Sequence, residues 1–205
     1  MTTPVTRWWW LRHAPVPDPE NRICGQLDPP CDLSDQQSMA ALAALLPKKA
    51  VIVESGLLRC SQTLGAIEAA GLPMAPALIE AALQEQDFGY WQGRRWADLE
   101  SRDDPQVASF WQDPASAAPP GGESFVTLVA RVQTTVHRLT REFQGRDIIA
   151  IAHAGTIRAA LQLALGLTPR AALSFVIDPL SVTRLDAIGD GWRVGGVNMP
   201  PALPQ

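Results

Sequence analysis

Two of the three histidines in this 205-residue chain stand at the ends of short apolar runs. His13 follows Trp8-Trp9-Trp10-Leu11-Arg12, and His153 follows Ile148-Ile149-Ala150-Ile151-Ala152. Runs of this length read as buried strands, and one that stops at Arg-His and enters Pro15, Pro17 and Pro19 delivers Arg12 and His13 to a loop. Adjacent strand residues face opposite ways, so these two reach one ligand only where the backbone turns, and the prolines put that turn here. Ligands of open α/β sheets bind outside the carboxyl ends of the strands, which lets His13 and His153 face one crevice. Arg59 falls in the first turn of an expected helix, near N–H groups that favour an anion; its other reading is a surface arginine. Glu85 and Asp87 are the carboxylates of an irregular loop, either merely solvated or part of the same site. Imidazole, guanidinium and carboxylate groups gathered at strand ends suit chemistry on an anion.

The chain that carries these groups alternates strand and helix. After the first strand comes a Pro-rich loop over residues 14–33, where Asn21, Arg22 and Gln26 are either ligand contacts or part of a solvated loop. Ser34 with Gln37 forms a capping-box pattern opening a helix with Met39, Leu42, Leu45 and Leu46 inward, ended by Pro47. Val51-Ile52-Val53 reads as a second strand, followed by a helix to about Gly71, and residues 74–79 as a third. Residues 84–93 read as a packed irregular loop. Residues 96–111 read as short helices broken at Asp104-Pro105, and 115–122 as a linker. Residues 123–143 give the clearest helix, with Phe125, Leu128, Val129, Val132, Val136, Leu139 and Phe143 on one face. Glu123 is placed in or near its first turn, and His137 lies off the stripe, in solvent. A strand over 147–152 leads through His153 into a helix to about Leu165. Residues 172–178, 181–187 and 191–197 read as further strands, and the chain from Met199 as a tail.

The net charge of −4 and 46% hydrophobic content describe an ordinary globular chain with no basic excess for nucleic acid. No apolar run is long enough for a membrane span, and Met1-Thr2-Thr3-Pro4 lacks the features of a signal peptide. Cys24, Cys31 and Cys60 have no zinc-type spacing, so reduced thiols in a cytoplasm are expected, a Cys24–Cys31 disulfide being the less favoured alternative. There is no G-x-x-x-x-G-K-[ST] loop and no G-x-S-x-G elbow.

Taken in order, the motifs resemble the histidine phosphatase superfamily, the family of cofactor-dependent phosphoglycerate mutases, α-ribazole phosphatase and fructose-2,6-bisphosphatase. Leu11-Arg12-His13-Ala14 resembles its Arg-His-Gly signature. Cys24-Gly25-Gln26-Leu27-Asp28 with Leu33-Ser34 is similar to the continuation of that signature. Ser55-Gly56-Leu57-Leu58-Arg59 with Gln62-Thr63 resembles the segment of the second arginine, and Glu85 to Gly93 the acidic loop. Gly121-Gly122-Glu123-Ser124 and His153 resemble the entry to the long helix and the second histidine.

The resemblance implies an α/β fold: a three-layer α/β/α sandwich with a mostly parallel sheet, phosphoglycerate mutase-like. It would form one domain over residues 1–205, with residues 80–122 as a small lid or insert over the site. It implies His13 as nucleophile, forming a phosphohistidine. Arg12 and Arg59 would hold the non-bridging oxygens, His153 would donate to them as charge develops, and Glu85 would be general acid and then base. Ala154, Gln26 and Asn21 are further expected phosphate or substrate contacts. No metal or other cofactor is implied, and the partner is a small phosphorylated metabolite, with monomer and homodimer both open. The sequence departs from the pattern at Ala14, where glycine is usual, at Gly56, where proline is common, and at Gln92, where many relatives carry glutamate. The spacing to Asn21 is also offset. The compact chain favours a metal-independent phosphomonoesterase. A phosphoglycerate mutase and a catalytically silent phosphate-binding protein are the alternatives.

Overall fold

The computed structural model describes residues 3–18, 20–100 and 105–201. Among them, six strands form one sheet in the order β3-β2-β4-β1-β5-β6. These are β1 (Val5–Arg12), β2 (Val51–Glu54), β3 (Ala77–Ile79), β4 (Asp147–Ala152), β5 (Val182–Ile188) and β6 (Gly191–Met199). β3, β2, β4 and β1 run parallel, while β5 and β6 complete the other side antiparallel. The parallel strands therefore bring the carboxyl ends of β1, β2 and β4 to one edge, with Arg12 opposite Ala152 and Glu54 opposite Ile151.

Helices cover both faces. α5 (Phe125–Glu142) and α6 (Ala154–Leu165) pack on one side with Trp8, Trp10, Ile148 and Ala150. α1 (Gln36–Leu45) and α2 (Leu58–Ala69) pack on the other with Leu11, Ile52, Ile149 and Ile151. The three tryptophans of β1 thus divide between the faces, as the two-residue period requires. Trp8 and Trp10 are fully buried and stacked at 5.0 Å, with the Trp8 indole N–H donating to Thr140 Oγ1. Trp9 is half-buried on the opposite face, where its N–H meets Asp147 and the Arg184 guanidinium lies 5.2 Å from its ring.

Several sequence expectations shift. The N-cap of α1 is Asp35, not Ser34, because a turn closed by Asp32 on Ser34 N sets the start one residue later; the Asp35 side chain accepts from Ser38 N. Leu45 of that helix is exposed. Glu123 precedes Ser124, the N-cap of α5, and serves an ion pair with Arg131 instead of the helix dipole. The third strand spans only Ala77–Ile79, and Met199, expected to open the tail, is the last residue of β6. Residues 172–178 are not a strand. Thr168 caps α7 (Pro169–Ala172), and the following segment buries Ile177 while its carbonyls go to arginines: Arg158 Nε donates to Phe175 O and Arg12 Nη1 to Ile177 O. The acceptors a strand would give to a ladder are already used. Pro19 and the break at Asp104-Pro105, residue 104 included, lie wholly or partly outside the described residues, as do residues 202–205 of the tail.

Between β3 and α5 the chain forms two single 3₁₀ turns, α3 (Trp96–Glu100) and α4 (Pro105–Gln112). Trp91, Leu99, Val107 and Phe110 gather here with Ile23 into a cluster separate from the two sheet cores.

Candidate active site

His13 follows the last residue of β1 and still continues the ladder, its N–H donating to Ala152 O at 3.1 Å. The next residue turns away: Ala14 N donates to Thr63 Oγ1 at 2.9 Å, and Thr63 in turn donates to Arg59 O. Ala14 is fully buried and takes no positive φ, so the missing glycine costs no backbone strain. His13 Nδ1 lies 2.7 Å from Ala14 O. A carbonyl can only accept, so Nδ1 carries the proton and Nε2 keeps its lone pair. Burial pushes the His13 pKa down to about 3; the bond to Ala14 opposes this, and Arg59 and Arg12 reinforce it. The ring is therefore neutral at pH 7, with one nitrogen able to attack.

Arg59 enters from the first turn of α2 and is buried, settling its two readings in favour of the interior. The helix N-terminus itself is filled by a carboxylate, Asp28 Oδ1 accepting from Leu58 N. Arg59 Nη1 donates to Leu27 O at 2.6 Å, Nη2 to Gly25 O at 2.7 Å and Nε to His153 Nδ1 at 3.2 Å. Because a guanidinium only donates, His153 Nδ1 is the unprotonated nitrogen, and Nε2–H donates to Ser55 Oγ at 2.9 Å. Burial, then the nearby His13, Arg59 and Arg12, hold the His153 pKa well below the usual histidine value. The His13 and His153 rings stand 5.1 Å apart. Arg12, from the other side, donates through Nη1 to Ile177 O, while its Nε is buried without a partner.

Glu85 reaches the N-terminus of α6, where Gly155 N donates to Oε1 at 3.1 Å and Oε2 at 3.3 Å. A Cβ at Gly155 would run into that carboxylate and displace it. The backbone carrying Glu85 is pinned by Arg131. That guanidinium donates to the carbonyls of Ala82, Gln84 and Glu85 and pairs bidentately with Glu123, whose carboxylate also takes Asp87 N. Gln26 reaches the same loop, its Nε2 donating to Glu85 O, and its N–H donates to Gln92 Oε1. Asp87 caps Gly89 N.

Arg12, His13, Arg59 and Glu85 line a cavity of about 830 Å³, and so do the exposed Asn21 and Arg22. His153, Ala154 and Gln26 are not on its wall. His153 lies behind Arg59 with both nitrogens bonded, and Gln26 is turned onto the Glu85 loop. His137 is on the surface. Residues that sequence reasoning left without a role are Arg131, Ser55, Thr63, Gly155 and Arg158. Ser55 and Thr63 were visible only as parts of the Arg59 motif, and a lone arginine on a long helix gives no signal. The three cysteines are free thiols, and no cluster of three or more His, Cys, Asp or Glu residues able to hold a metal occurs among the described residues. No helix among them is long and apolar enough to cross a membrane.

A bifunctional protein of Mycobacterium tuberculosis is 28% identical over 190 residues, covering 91% of this chain and 51% of that protein, so the chain spans about half its length. A glucosyl-3-phosphoglycerate phosphatase of Mycolicibacterium vanbaalenii is 33% identical over 176 residues, 80% of this chain and 76% of that one. A 2,3-bisphosphoglycerate-dependent phosphoglycerate mutase of Methylobacterium sp. is 32% identical over 158 residues, 73% and 75%. The crystal structure of the α-ribazole phosphatase from Shigella flexneri shares the fold, with a TM-score of 0.85 at 21% identity over 97% of this chain and 98% of that one. The family model of the histidine phosphatase superfamily (branch 1) matches residues 8–200, and the chain belongs to that family.

Proposed function

We propose that the chain is a metal-independent phosphomonoesterase acting through a phosphohistidine on a small phosphorylated metabolite. The observation that carries this reading is the state of His13: Nδ1 is committed to Ala14 O, which leaves an unprotonated Nε2 in a cavity end flanked by Arg12 and Arg59. Nε2 attacks phosphorus, the N–P bond forms, and the bond from phosphorus to the ester oxygen breaks. Protonated Glu85 gives its proton to that oxygen, releasing the alcohol. Glu85 then takes a proton from water as water attacks phosphorus; the N–P bond breaks and phosphate leaves. Arg12 and Arg59 stabilise the equatorial oxygens in both steps. His153 is a positioning residue here, holding Arg59 through Nδ1 and itself held by Ser55. The segment 80–122 acts as the cover of the site, since it supplies Glu85, Phe88 and Trp96 to the cavity wall.

The test is phosphate release from p-nitrophenyl phosphate and alkyl phosphates in EDTA, with His13→Ala beside the wild type and enzyme quenched in alkaline detergent assayed for phosphohistidine. Release that survives EDTA, a trapped phosphoenzyme and a loss on the order of 10⁴-fold in His13→Ala are expected. Phosphoglycerate isomerisation without net phosphate release would install the mutase reading instead. Binding of phosphate without turnover would install the silent one.

A further inference from the structure

The cavity is far larger than a phosphate needs, and its lining includes the apolar Val16, Pro17, Ile23, Phe88 and Trp96, the last three packed in one cluster. Trp96 is half-buried and held in place by rings, with Phe88 edge-on at 5.9 Å, Phe110 stacked at 5.9 Å, Trp91 at 6.0 Å and Trp111 at 5.2 Å. Besides Arg12, Arg59 and Glu85, the charged residues of the lining are Asp18, Asp28 and Arg22. Arg22 is paired with Asp18 and with Glu20 at 2.5 Å. Asp18 accepts from Glu20 N and Arg22 N, and Asp28 from Leu58 N. Two carboxylates thus stand against one guanidinium that already has partners. A second anionic group on the substrate would meet excess negative charge, whereas a flat or aliphatic surface would replace water on Trp96 and Phe88.

Resting on the phosphomonoesterase reading, we propose that this wall is the leaving-group subsite. It selects esters whose alcohol is bulky, uncharged and apolar-faced, and it discriminates against alcohols carrying a carboxylate or second phosphate. Trp96 and Phe88 set the specificity by contact with the leaving alcohol. Asp18 and Asp28 set it by repulsion.

The experiment compares kcat/KM for 2-phenylethyl phosphate, glycerol 3-phosphate and 3-phosphoglycerate, alkyl esters whose leaving alcohols are similar in acidity, so that the ranking reports contact with the wall. The expected result is a tenfold or greater preference for 2-phenylethyl phosphate over glycerol 3-phosphate, with 3-phosphoglycerate last. Trp96→Ala is expected to cut that preference at least fivefold through KM, and Trp96→Phe to retain most of it. A wild type that turns over 3-phosphoglycerate as well as 2-phenylethyl phosphate overturns the proposal, as does an unchanged preference in folded Trp96→Ala. Should Trp96→Ala not fold, the wild-type ranking and Phe88→Leu, expected to cut the preference at least twofold, decide it. Trapping of phosphohistidine from p-nitrophenyl phosphate separates the two readings: with it, a wrong ranking sinks only the subsite. Without it, the phosphomonoesterase reading falls and the subsite with it.

Discussion

Arg59 and Trp96 line one cavity and are held by different physics. Arg59 is tied by hydrogen bonds to two loop carbonyls and to His153, which Ser55 fixes in turn. Trp96 is held by surrounding rings and remains partly open to solvent. Directional bonds in a buried place allow one geometry and make a missing partner expensive. Ring packing is tolerant of shape, and exchange of one apolar group for another is the cheaper change. On the proposed reading, the Arg59 surroundings hold one chemical group in one pose, and the Trp96 surroundings accept a family of surfaces.

The contrast breaks most visibly at Arg59. Arg59→Lys keeps the charge but cannot reach Gly25 O, Leu27 O and His153 together. A loss of about 3 kcal/mol in urea unfolding is expected, with about 10²–10³-fold in kcat/KM; a change under threefold in activity would mean the fork is not needed. Acid sharpens the same contrast, because the phosphate end buries neutral histidines. The His13 pKa is about 3 in the fold against 6.5 for the free side chain, so below pH 6.5 the unfolded chain takes up the proton first. Its contribution is full above pH 6.5 and is lost as pH falls toward 3, amounting to about 2 kcal/mol between pH 7 and pH 5. Unfolding titrations at the two pH values, with His13→Ala as reference, measure it; equal slopes in both proteins would contradict it.

Arg131 tests whether the Glu85 loop belongs with the rigid end. Arg131→Met removes the donors to the carbonyls of Ala82, Gln84 and Glu85. A tenfold or so fall in kcat, with a changed pH profile and partial rescue by Arg131→Lys, is the expected mark of a positioning residue. A loss of stability with an untouched pH profile would assign it to packing alone. The smallest effect is expected at a site remote from both regions. Asp35→Ala removes the cap of α1 and should cost about 1 kcal/mol, lowering Tm by about 2–4 °C, with kcat/KM unaltered.

What could be read from the sequence follows the same division. A buried strand announces itself by a run of apolar residues, and a side chain just past its end needs no further information to be placed, so His13 and His153 were legible at the strand ends. From its local spacing alone Arg59 is legible only as a choice between anion and surface, the motif it resembles deciding for the site, because two of its acceptors are backbone carbonyls, which every residue has. His153 stands at its strand end as expected, yet both its nitrogens have protein partners and it is not on the cavity lining, and no local pattern states which nitrogen bonds to what. Residues 172–178 carry the apolar composition of a strand; only the distant Arg12 and Arg158 reveal where their carbonyls go. The Trp96 wall depends on contacts between Phe88, Trp91, Phe110 and Trp111, and spacing along the chain does not say which rings meet.

The position of β1 in the sheet has a consequence for how the chain is made. Trp10 pairs with Ala150 on one side and Thr183 on the other, so this strand is synthesised well before either of its neighbours. At ribosomal speed its partner on β4 emerges roughly 7–30 s later, a long exposure for three consecutive tryptophans. Non-local pairing of this kind makes folding slow. The nascent chain is expected to depend on chaperones through that interval, and His13 acquires its setting only after the second histidine has left the ribosome.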